Sequence, residues 1–179
     1  MKKFTIILLG IILANCKGPE PRRAVKKSSG SIIKESVARN KRLLDEEEKL
    51  FQKIITKDTA HTYTHSDVGS WFYYNVKDTV NSYTAKPKDL VTMTYTILST
   101  NNDTIYSYKE IDTIKYKVDL QELFPGLRHS VKLLKENETA TFLYPSSLGY
   151  GYHGDTKKIG INIPLKVTLS ILKIEKENK

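Results

Sequence analysis

Few side chains in this 179-residue sequence are placed for bond-breaking chemistry. Cys16 is the only thiol, so no intrachain disulfide can form. Ser146, Ser147, His129 and His153 build no hydrolase motif. His61 and His65 stand four apart, but Thr62, Tyr63 and Thr64 between them favour a strand or loop over a metal-binding helix face, and no metal or cofactor is expected. His153, beside Gly154 and Asp155, reads as an exposed loop residue. The aromatic residues are left: 11 tyrosines and 5 phenylalanines. Tyr150 sits between Gly149 and Gly151 in a loop and has little reason to be core. Tyr95 and Tyr106 lie in strand-like stretches, where sheet packing explains them as readily as a binding wall does. No general base or nucleophile is conspicuous.

The elements that must position these residues begin with an address. Residues 4–14 form an apolar or small run behind Lys2 and Lys3, too short for a bilayer span, which needs about 20 residues. The run fits a signal peptide over residues 1–15. Cys16 at its end resembles a bacterial lipobox whose thiol is acylated, with Asn15 in place of the usual small residue. Two or more acyl chains would anchor stably where one would not. Lys17 rather than Asp follows, so the retention signal for the inner membrane is missing and an outer-membrane address facing the periplasm is expected. The formal charge of +9 could suggest nucleic acid. However, Lys17, Arg22, Arg23, Lys26 and Lys27 cluster behind Cys16, where they suit anionic headgroups, and no RNA-binding signature accompanies them.

Residues 16–30, with their prolines, glycines and serines, read as a lipidated tether. Residues 31–66 read as an amphipathic helical extension and linker, with Ser31 as N-cap and a helix over residues 31–56. Leu43, Leu44, Leu50, Phe51, Ile54 and Ile55 make its apolar stripe, and Asp45-Glu46-Glu47-Glu48 covers the opposite face. The stripe needs a partner: the chain's own domain, a second copy, or another protein. Strands are predicted over residues 71–76, 90–99, 104–108, 114–118 and 139–144, with Asn101-Asn102-Asp103 as a turn. Residues 124–134 switch to helical period, with Pro125 in the first turn. A last strand alternates at Ile163, Leu165, Val167, Leu169 and Ile171. Many strands around one short helix predict an antiparallel α+β domain over residues 67–179.

Five stretches follow one another in order: Trp71-Phe72-Tyr73-Tyr74; Val91-Thr92-Met93-Thr94-Tyr95-Thr96; Leu123-Phe124-Pro125-Gly126-Leu127; Leu148-Gly149-Tyr150-Gly151; and the last strand. Together they resemble the FK506-binding-protein (FKBP) family of prolyl isomerases. With the lipobox and the long extension, the chain is most similar to the gliding-motility-associated lipoprotein branch of that family in Bacteroidetes. The resemblance implies a curved antiparallel sheet wrapped around one short helix, with an apolar pocket between them that binds proline-containing segments of exported proteins. It also implies the pocket's residues. Tyr95 and Tyr106 are walls, Leu123 and Phe124 the entrance with the Phe124 N–H as donor, Tyr150 the loop hydroxyl, and Ile159 an apolar loop position.

The chain departs from the family's pattern at several of these positions. Leu127 stands where the family floors its pocket with tryptophan, and Ser107 where an aspartate follows the second wall. Ile114 and Val167 replace aromatics, and Ile159-Gly160-Ile161 replaces Ile-Pro-Pro. Such changes imply a shallower pocket, so a binding module or an envelope structural subunit is the alternative to an isomerase. Asp58-Thr59-Ala60, Asp78-Thr79-Val80, Asp103-Thr104-Ile105 and Asp112-Thr113-Ile114 resemble the Asp-Thr-aliphatic acceptors of Bacteroidetes O-glycosylation.

Overall fold

The computed structural model describes residues 29–177. The expected signal peptide, Cys16 and the tether as far as residue 28 lie outside the described residues. The chain divides into two compact units, Met1–Ala38 and Arg39–Lys179. The described part of the first is the opening of helix α1 (Ser29–Lys57), on which Ile32, Ile33 and Val37 are exposed. The helix runs from Ser29, two residues ahead of the expected start. Among the described residues no helix is long and apolar enough to cross a membrane.

In the second unit α1 docks on the domain itself. Phe51 is 1% exposed, Leu43, Leu50 and Ile54 are half-buried, and the Trp71 Nε1–H donates to both oxygens of Glu48 at 3.1 Å. Glu47 does not lie on the solvent face but is 4% exposed, on the apolar line itself.

Seven strands follow in one antiparallel sheet: β1 (Thr64–His65), β2 (Trp71–Val76), β3 (Leu90–Leu98), β4 (Thr104–Tyr106), β5 (Ile114–Lys117), β6 (Thr139–Tyr144) and β7 (Leu165–Glu175). Their order is β1-β2-β6-β7-β3-β4, and β5 also pairs β3. Alternation puts Val91, Met93 and Ile97 of β3, Ala140, Phe142 and Tyr144 of β6, and Leu165, Val167, Leu169 and Ile171 of β7 into one core. Opposite Thr92 and Met93, β7 carries an extra residue, Leu172. This bulge turns Leu172 outward and brings Ile174 back against the core.

Helix α3 (Pro125–Ser130) fills the concave face with Leu127, followed by Val131 and Leu134, all at 0% exposure. Pro125 opens it, as predicted, with Phe124 as the extended residue before it. A Cβ on Gly126 would sit 2.8 Å from the Tyr144 ring and 2.9 Å from the Leu148 carbonyl oxygen, so only glycine lets α3 seat this close.

Two further boundaries differ from expectation. β4 stops at Tyr106 because Ser107 caps a one-turn helix, α2 (Tyr108–Ile111), in a capping box with Glu110. β7 begins at Leu165, and Ile163 is 39% exposed, because Pro164 has no N–H to continue the ladder. Thr59, Thr79, Thr104 and Thr113 are all exposed.

Candidate functional site

A cleft of about 310 Å³ opens where β3, β4, α2 and the loop of residues 149–163 meet. Tyr95, Ile97, Tyr106, Ile111, Tyr150, Asp155 and Lys157 line it. Tyr95 and Ile97 share the face of β3 that carries Val91 and Met93, so the core runs into the cleft wall. Phe124 joins the same aromatic group. Its ring centroid is 5.2 Å from Tyr150, 6.4 Å from Tyr95 and 5.8 Å from Tyr144, the last two edge-on. Tyr144 is tied down by a 2.6 Å bond to Ser130 Oγ.

The other expected site residues are placed differently. Leu127, Val167 and Ile159 are core, at 0%, 0% and 3% exposure. Leu123 and Ile114 are half-buried against that core. The Ser107 side chain is engaged with Glu110 as the cap of α2. His61 stacks on Tyr73 with its Nδ1 on Asp58, while His65 leans on Trp71, so the two rings are held by different partners.

The reading of the sequence missed Asp155, which supplies a carboxylate to the cleft from the loop. The Tyr106 hydroxyl donates to Asp155 Oδ2, and Asp155 Oδ1 accepts the N–H groups of Lys157 and Ile159 at 2.8 Å each. Gly154 makes that turn possible. Its φ is +66°, and a Cβ there would lie 2.4 Å from the Ile159 carbonyl oxygen. Lys158 pins the same loop from outside, through Ile105 O at 3.1 Å and a bond to Glu110.

Three hydroxyls in the cleft remain protonated at neutral pH. Burial, then the nearby Tyr95, Asp155 and Tyr106, push Tyr150 up to about 12. Burial raises Tyr95, and the bond to Asp155 raises Tyr106. Among the described residues, neither the Tyr150 hydroxyl nor the Phe124 N–H has a hydrogen-bond partner. The cleft therefore offers apolar walls and one unengaged donor, the Tyr150 hydroxyl, with the Phe124 ring packed against Tyr150. It can bind and orient a carbonyl-bearing chain, and it contains no nucleophile–base pair.

Residues 81–171 match the model of the FKBP-type peptidyl-prolyl cis-trans isomerase family. The chain is 42% identical over 55 residues to the probable FKBP-type peptidyl-prolyl cis-trans isomerase FkpA of Neisseria meningitidis serogroup B. That stretch is 31% of this chain and spans about one fifth, 20%, of that relative's length. In fold, it is similar to the crystal structure of FkpA from Escherichia coli, with a TM-score of 0.59 at 17% identity over 98% of this chain and 82% of that one.

Proposed function

This chain belongs to the FKBP-type peptidyl-prolyl cis-trans isomerase family, and we propose that it isomerises Xaa-Pro bonds in protein segments that enter the Tyr95–Tyr106–Tyr150 cleft. What carries this reading is a half-buried aromatic cleft in which the Tyr150 hydroxyl is unengaged and the Phe124 ring packs against Tyr150.

The chemistry needs no more than this. The barrier is rotation about an amide, about 18–20 kcal/mol, set by the partial double bond between C and N. An apolar site disfavours the charge separation of the planar amide, and donors that hold the flanking carbonyls favour the twisted form over either planar one. Each gain of about 1.36 kcal/mol is a tenfold rate increase. Leu123, Phe124 and Ile159 would contribute the apolar entrance, with Leu127, Ile114 and Val167 behind it. Ser107 would act through α2 rather than on the peptide.

The sequence of the N-terminus supports an envelope address. The protein is lipidated on Cys16, held at the outer membrane facing the periplasm, and acts on exported proteins. A place in a gliding machinery rests on the resemblance of the lipobox and extension alone. Cys16→Ala should release the protein from membranes washed in about 1 M salt, where the Debye length is only about 3 Å. A variant that still pellets would refute the anchor.

For the activity, purified full chain should accelerate isomerisation of an Xaa-Pro tetrapeptide, and Tyr150→Phe should be slower. A rate equal to the uncatalysed one would sink the proposal. One observation favours a second reading, a peptide-binding module with little turnover. The position expected to floor the pocket is Leu127, which is wholly buried. Saturable peptide binding without rate enhancement would select it.

A further inference from the structure

Helix α1 reaches the Tyr150 loop through one buried carboxylate. Glu47 Oε2 accepts the backbone N–H of Ser146 at 3.1 Å, across 99 residues of sequence. The position is an expensive one for an acid. Glu47 lies between Leu43 and Phe51 on the apolar line of α1, its Oε1 is buried without a partner, and burial raises its pKa. A leucine there would complete the stripe.

Ser146 is where this contact matters. It opens the single turn Ser146–Leu148, and its carbonyl accepts the N–H of Gly149 at 3.0 Å and of Gly151 at 2.9 Å. Those two amides bracket Tyr150. The orientation of residue 146 therefore sets the loop on both sides of the tyrosine. On the far side of the turn, Gly126 of α3 lies close under the Leu148 carbonyl. The loop is gripped between α3 and Glu47.

We infer that Glu47 is a positioning residue for isomerisation, holding residues 146–151 so that Tyr150 lines the cleft and making α1 part of the working site. This rests on the isomerase reading above. Its neighbour supplies an internal control. Glu48 holds Trp71 on β2, so it docks the same helix without touching the loop.

The test compares full-length wild type, Glu47→Ala, Glu47→Gln and Glu48→Ala. It measures kcat and KM for a prolyl tetrapeptide, amide hydrogen exchange over residues 146–151, and emission of the single tryptophan, Trp71. Glu47→Ala should lower kcat about two- to tenfold, no more than loss of the Tyr150 hydroxyl itself, with KM little changed, because a misplaced donor is lost chiefly in the transition state. Exchange over residues 146–151 should rise while Trp71 emission stays as in wild type. Glu47→Gln should recover most of the rate, since its carbonyl still accepts the Ser146 N–H. Glu48→Ala should shift Trp71 emission and leave turnover and loop exchange alone.

Wild-type exchange over residues 146–151 in Glu47→Ala would overturn the inference. So would equal losses in both alanine variants, which would reduce Glu47 to a docking contact. A wild type without turnover would refute the isomerase reading, and the exchange data would then decide the loop contact by themselves.

Discussion

The Tyr106 hydroxyl donates a hydrogen bond to Asp155, joining the β4 wall of the cleft to the loop that carries Tyr150. The same carboxylate gathers the amides of Lys157 and Ile159, so one side chain organises both the loop's turn and its contact with the sheet. Asp155→Asn and Tyr106→Phe should each raise KM several-fold, and the double variant should be no worse than the poorer single, because both remove one shared contact.

The pH dependence of this contact follows from its sign. Burial alone would raise Asp155, but the Tyr106 hydroxyl and the loop amides outweigh it and hold the group below its ordinary 3.8. A depressed carboxylate contributes stability that is whole above that ordinary value and is lost as pH falls through the lower one. The loop should therefore hold through the neutral range and loosen only in strong acid. A loop that loosens between about pH 5 and 7, followed by amide exchange or by KM, would contradict this assignment.

Tyr150→Phe removes one donor from the cleft and leaves its ring contact with Phe124. The expected loss is about two- to tenfold in kcat/KM, from a hydrogen bond worth about 0.5–1.5 kcal/mol, with no change in melting temperature. With Tyr150 near 12 and Tyr95 and Tyr106 also raised, none of the three should ionise below about pH 9. The wild-type rate should be flat from about pH 6 to 9, and an inflection in that window that disappears in Tyr150→Phe would show the hydroxyl titrating after all.

What could be read from the sequence was what is local. β2 at Trp71–Val76 and β6 at Thr139–Tyr144 fall at their predicted boundaries, because alternation and flanking turns are properties of a few adjacent residues. Tyr95, Tyr106 and Tyr150 line one cleft. The Ser107-x-x-Glu110 capping box was present in the sequence, but the aromatic run around it read as strand. Asp155 and Glu47 could not be found this way. Their partners lie 49 and 99 residues away, and an acid in a loop or in a run of four acids looks solvent-facing until tertiary structure supplies an amide or hydroxyl that needs it.

Gly154 tests the loop from its backbone. An alanine there must hold φ near +66°, which costs about 1–2 kcal/mol, and must also displace the Ile159 carbonyl. Gly154→Ala should raise KM, and exchange should quicken over residues 154–160 while protection in β6 and β7 persists. Uniform loss of protection across the sheet would mean that the loop is integral to the core and not a separable lid on the cleft.

Leu127→Trp asks whether the residue that the family usually places at the pocket floor could be restored. Leu127 is completely buried, and the glycine before it already abuts Tyr144 and Leu148 with no room for a methyl group. An indole must find its extra volume by pushing α3 away from β6 or by shifting the Ser146–Leu148 turn. Overpacking of this kind costs about 1–3 kcal/mol. For a chain of this size it should appear as a melting temperature lower by roughly 2–12 °C. Because α3 and the turn jointly seat Tyr150, turnover should fall with it and affinity for a proline-mimicking macrocycle should not improve. A stable, tighter-binding Leu127→Trp protein would show that the indole reaches the cleft, and that position 127 forms the pocket floor and not only the core beneath α3.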